Sequence, residues 1–258
     1  MLKIKNKKKY QCKLCGKWFK KNDLSLEHYP ARSVGNINID EIDVGKYFDT
    51  LISGEASSYI KSLRIQGYSI QEALDQFYEK EIVTKSYPKG RTTLSLCRTC
   101  NTFLGHYDED YKKFFDRNGN PLKIKGFQYQ TKLNIIKSIF GKFLSHPDAA
   151  KEKFDFISFV RNEKEDEYHG EWKLFFIRRD HTTDIMGLRP LDTGSLIDSE
   201  KSVYEMSDEK FFFYLINHDP IYKMTNIFDI LNKNYEITYG VDDTGGYRGA
   251  ILINKLFK

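Results

Sequence analysis

The chain has 258 residues, 40% hydrophobic and 15% aromatic, with 41 Lys and Arg against 36 Asp and Glu. That apolar share can offset the entropy of chain ordering, which excludes intrinsic disorder, and the length allows one large domain or two smaller ones. No run approaches the roughly 18 apolar residues of a membrane-spanning helix, and no signal-peptide segment follows the N-terminus, so a cytoplasmic protein with no membrane partner is expected.

The charge is uneven along the chain. Residues 1–36 carry nine Lys and one Arg against Asp23 and Glu27, a net +8. Residues 37–90 sum to −3 and residues 91–126 to +3. The two basic segments are also the two that hold the cysteines, Cys12 and Cys15 in the first, Cys97 and Cys100 in the second. Two CxxC pairs with none left over read as metal ligands rather than as a disulfide framework. Basic charge beside them points to a polyanion-binding face.

In chain order, the Lys run at positions 3–9 comes first, then "YQCKLCGKWF", a zinc knuckle with Gly16 at its tight turn. "LSLEHYP" alternates Leu24, Leu26 and His28 against Ser25 and Glu27, a short strand ending near Pro30. Residues 37–90 break the pattern. In "YSIQEALDQFYEKE" Ser69 and Glu72 form a capping box, and Ala73, Leu74, Phe77 and Tyr78 follow at helical spacing. This acidic stretch is expected to be a mostly helical insertion.

After the insertion, Leu94 and Leu96 alternate into Cys97, and a helix is expected from near Cys100, with Asn101, Gly105 and Asp108 on one face. "TKLNIIKSIFGKFLS" places Leu133, Ile136, Ile139, Phe140, Phe143 and Leu144 on one helical stripe. Beyond Pro147, "FDFISFV", "WKLFFI" and "FFFYLI" read as strands of a mixed C-terminal region. Its aromatics are expected to form core and scaffold.

Four thiolates complete a tetrahedral zinc shell, and such a closed site is structural. With 81 residues between Cys15 and Cys97, the ion would clamp residues 10–36 against 90–115 and hold "LEH" beside "CN".

Taken together, CxxCGK, LEHxPxSxG and LCxxCNxxxGxxD resemble the zinc-knuckle, four-cysteine branch of the HNH endonuclease family over residues 10–36 and 91–110. The resemblance implies an α+β fold: a ββα-metal core of hairpin and helix stapled by the four-cysteine zinc site. That gives a zinc-stapled nuclease domain over residues 1–126, interrupted by the 37–90 insertion, and a mixed α/β domain over 127–258. It implies His28 as general base, with Glu27 and Asn101 as ligands of one catalytic divalent metal. Many members carry an asparagine five residues before the third cysteine, which orients the base; Thr92 stands there, and Asn36 replaces a second glycine.

The chemistry is consistent with those residue types. Phosphodiester hydrolysis needs a base to deprotonate water, and an imidazole titrating near ~6.5 suits neutral pH. It also needs a cation against developing charge, and oxygen donors suit Mg²⁺ or Mn²⁺. Asp108 is an extra or alternative ligand by position, with His106 as a competitor, and Gly105 would admit the substrate backbone. Lys17, Lys20, Lys21, Arg32 and Arg98 are the candidate nucleic-acid contacts. DNA is the expected partner, with RNA and a homodimer left open. The alternatives are an inactive zinc-dependent nucleic-acid-binding module, or a protein-interaction protein with architectural zinc.

Overall fold

The structure, a computed structural model, describes residues 8–42, 44–179, 193–198, 201–220 and 223–240. Most of the N-terminal lysine run lies outside them. The chain divides into two compact units, residues 1–36 with 91–258, and residues 37–90. Residues 127–258, read above as a domain of their own, therefore share one unit with the cysteine-bearing segments.

The knuckle is built from β1 (Tyr10–Gln11) and β2 (Trp18–Phe19), an antiparallel pair around the first CxxC turn. Gly16 there has φ +72°, a left-handed conformation that an L side chain resists, and its N–H donates to the Cys12 carbonyl. The next strand, β3 (Leu24–His28), leads to Asn36, where the chain leaves this unit.

Residues 37–90 form β4 (Ile39–Ile42), α1 (Val44–Ser53), α2 (Glu55–Ile65), α3 (Ile70–Phe77), a π-helical turn over Tyr78–Ile82 and β5 (Val83–Tyr87). The capping box read from the sequence starts α3. The Glu72 N–H donates to Ser69 Oγ at 3.2 Å and the Ser69 N–H to Glu72 Oε2 at 2.7 Å. Ala56, Phe77 and Ile82 make its small core, with Tyr59 and Ile60 packed against them. The β4–β5 ladder closing this unit carries no strong alternation and went unread in the sequence.

The chain returns as β6 (Thr92–Cys97), antiparallel to β3, and passes at Cys97 directly into α4 (Arg98–Asp116). The helix thus begins two residues before the expected Cys100. After it come α5 (Tyr129–Phe143) and α6 (Ile157–Arg161). "FDFISFV" is accordingly helical in its second half rather than a strand. Phe156, Phe159 and Val160 fall at i, i+3 and i+4, and the Phe156 ring stacks on Phe140 at 4.4 Å, Phe159 meeting it edge-on at 6.2 Å.

A six-stranded sheet follows: β7 (Lys173–Arg179), β8 (Thr193–Asp198), β9 (Lys201–Ser207), β10 (Phe211–Ile216), β11 (Thr225–Asn226) and β12 (Tyr239–Gly240). Its order is β11-β7-β10-β9-β8, with β12 parallel to β7. Successive residues of β10 serve opposite faces, as pleating requires. Phe211, Phe213 and Leu215 join the main core with α4 and α5, and Phe212, Tyr214 and Ile216 a second cluster. Phe114 of α4 packs on Phe211 at 5.6 Å and on Phe176 at 6.0 Å. The fold is α+β, and among the described residues no helix is long and apolar enough to cross a membrane.

Candidate functional site

The two CxxC pairs come together. The Sγ atoms of Cys12, Cys15, Cys97 and Cys100 all lie within 4.8 Å of one another, and tetrahedral zinc with ~2.3 Å bonds would space them ~3.8 Å apart. Cys12 and Cys97 are buried and the other two half-buried. The Cys97 N–H donates to Cys12 Sγ at 3.3 Å, and the Lys13 N–H to the Ser95 carbonyl at 2.9 Å, so the knuckle is tied to β6 by backbone as well as sulfur. Burial, then the neighbouring cysteines, push the Cys100 thiol far above its ordinary range. Thiolate there calls for a cation, and this group can hold a metal ion such as zinc.

β3 is not a regular strand. Ser25 pairs with Leu96 and Glu27 with Thr93, so one extra β6 residue opposes Leu26. This bulge resets the alternation. Leu26, expected to share the buried side with Leu24, is 60% exposed, whereas Glu27 is buried. His28 is half-buried and lies opposite Thr92. Asn101, in the first turn of α4, donates from Nδ2 to Ser25 Oγ at 2.9 Å, which fastens the helix start to the strand that carries Glu27 and His28.

Glu27 is held by a residue the sequence reading missed. Lys142 of α5 is buried, and its Nζ donates to Glu27 Oε1 and, at 2.7 Å, to Asp108 Oδ2. Asp108 Oδ1 accepts from Ser138 Oγ at 2.7 Å. Burial raises the Glu27 carboxyl above the usual carboxylate range, while the Lys142 charge pulls against that. For Lys142, burial alone would lower the ammonium, but Asp108 and Glu27 outweigh it and hold it above the lysine norm.

These contacts sort the candidate oxygen ligands. Lys142 engages Oε1 of Glu27, and Ser25 engages Nδ2 of Asn101. Oε2 of the first and the amide oxygen of the second are of the oxygen-donor class that hard cations take. Asp108 fits less well, since Ser138 and Lys142 engage both its oxygens. His106 is exposed. A Cβ added at Gly105 would meet nothing within 4 Å, so no packing of the described chain demands glycine there.

Asn36 was also missed. Fully buried, it donates from Nδ2 to the carbonyls of Pro30 at 2.8 Å and Arg91 at 2.9 Å, and its Oδ1 accepts the Arg91 N–H at 2.6 Å. It clasps the loop after His28 to the residue before β6.

Lys17, Lys20, Lys21, Arg32 and Arg98 are all exposed, and Arg98 Nη2 donates to the Asn22 carbonyl at 3.2 Å. A cavity of about 880 Å³ lined by Leu122, Phe127, Ile230 and Tyr235 contains none of the residues singled out above. No family model, curated protein or solved structure matches this chain.

Proposed function

We propose that the chain is a metal-dependent endonuclease of the HNH type, which hydrolyses phosphodiester bonds in DNA with His28 as the general base. The observation that carries the reading is the run of β3 and β6 through Cys97 into α4, stapled by the cysteine cluster, with Asn101 bonded to the strand of Glu27 and His28. A divalent cation taken by Glu27 and Asn101 would supply charge against the phosphate and the leaving oxygen. His28 takes the proton of the attacking water on its ring nitrogen. Lys142 orients the Glu27 carboxylate through Oε1, and Asn36 fixes the loop that follows the base. Lys17, Lys20, Lys21, Arg32 and Arg98 bind the polyanion.

A second reading, a module that grips nucleic acid without cutting it, is favoured by one observation. The ammonium of Lys142 already neutralises part of the charge on Glu27 and Asp108. One experiment separates the two. Supercoiled plasmid is incubated with the protein and Mg²⁺ or Mn²⁺, beside His28→Ala and an EDTA control. Metal-dependent nicking or linearisation is expected, reduced about 10²- to 10⁴-fold in His28→Ala, with DNA affinity retained. Full cleavage by His28→Ala would remove His28 from the mechanism. Tight binding without cleavage by the parent protein would favour the binding module.

A further inference from the structure

We propose that Trp18 is a stacking platform for an unpaired base of single-stranded DNA, an inference that rests on the reading of this chain as a nucleic-acid-binding protein. The two tryptophans differ sharply: Trp172 is 7% exposed within the core and Trp18 is 62% exposed. A lone exposed aromatic needs no explanation. This one has a rigid mount and a charged setting.

The mount is β2. Phe19 packs against the core while Trp18, its neighbour in the pleat, faces outward opposite Gln11. The residue before it is pinned by the Cys12 N–H, which donates to the Lys17 carbonyl at 2.9 Å, and Cys12 belongs to the four-cysteine cluster. The indole therefore stands on a frame held by backbone bonds and sulfur, with little ordering left to be done on binding.

The setting is cationic. Lys17, Lys20 and Lys21 flank the ring in sequence and are exposed, and none of them forms a salt bridge among the described residues. An aromatic face among uncompensated lysines suits a ligand that carries anionic charge and π-faces together, which is the chemistry of a nucleic-acid strand. Within a duplex each base is covered by its neighbours, so only an unpaired base offers the indole a face.

The position also bears on where the strand would run. β3 extends from Leu24, opposite Cys97, to His28, opposite Thr92, and four steps of ~3.3 Å separate these ends by ~13 Å. Trp18 belongs to the cysteine end.

The test uses the full chain with His28→Ala, so that the strand is not consumed, and an oligothymidylate probe. Indole emission is followed beside the anisotropy of the labelled strand. Binding is expected to quench the emission, Trp18→Ala to weaken single-strand affinity about tenfold, and Trp18→Tyr to restore most of it, with zinc content unchanged. Saturation without quenching, equal affinity in Trp18→Ala, or no binding at all would each overturn the proposal. Quenching by a protein that never cuts plasmid would remove the nuclease reading and leave the stacking one. Plasmid cleavage without quenching would do the reverse.

Discussion

Lys142 shows how a single buried charge can organise a site. Its ammonium meets two carboxylates from different elements, Glu27 on β3, which is buried, and Asp108 on α4, which is partly exposed. Removing it strands the buried Glu27 and the partly buried Asp108, so Lys142→Met should cost about 3–5 kcal/mol in urea unfolding, and adding Glu27→Gln and Asp108→Asn should recover most of that. A loss under about 1 kcal/mol would mean that the ion pair is solvated. Asp208 carries a separate expectation. It is fully buried, accepts from Tyr111 and the Phe211 N–H, and burial lifts its carboxyl to about 6. An acid raised in the folded state binds more protons there than unfolded, so its contribution favours folding at low pH and is lost as pH rises from about 4 to 6. The parent should lose stability across that window by up to about 1.4 kcal/mol per pH unit relative to Asp208→Asn, as read by urea unfolding at each pH. The cysteines, Glu27 and His28 could be found in the sequence because short spacings carry them. Lys142 and Asn36 could not, because their partners lie 115 and 55 residues away and no local pattern marks a lysine or an asparagine as buried.

At the scale of elements, periodicity was readable where one strong pattern governed and unreadable where two competed. The α5 stripe and the α3 cap follow from spacing alone. A short apolar run such as "FDFISFV" fits a buried strand or a buried helical turn equally, and the contact with Phe140 selects the turn. The bulge opposite Leu26 is likewise silent in the sequence, since it depends on which β6 residues pair with β3. The clasp of Asn36 on Arg91 bears on the insertion, because its two ends are held within hydrogen-bond reach. Replacing residues 37–90 with a short glycine linker should preserve zinc content and plasmid cleavage, while Asn36→Ala in the full chain should cost about 1–3 kcal/mol by leaving buried backbone groups unpaired. Loss of zinc on excision would show that the insertion supports the cysteine cluster.

For the whole molecule, the cysteine cluster is the largest single commitment, joining segments on either side of residues 37–90. Cys97→Ser should abolish stoichiometric zinc, measured by elemental analysis, and lower the Tm by at least about 10 °C, since several kcal/mol of folding free energy go with the ion. The basic surface makes a prediction of a different kind. Each of Lys17, Lys20, Lys21, Arg32 and Arg98 that contacts a phosphate should contribute about one unit to the slope of log affinity against log salt, and its alanine variant should flatten that slope.

The wide separation of the two thiol pairs also sets a schedule for synthesis. Cys12 and Cys15 leave the ribosome more than 80 residues ahead of Cys97, which at ~5–20 residues per second is a delay of roughly 4–16 s. For that interval the first pair has half a ligand shell and a chelator or oxidant has its best opportunity. Nascent chains of this protein should therefore be most vulnerable to metal starvation and thiol oxidation while the helical insertion is still being made.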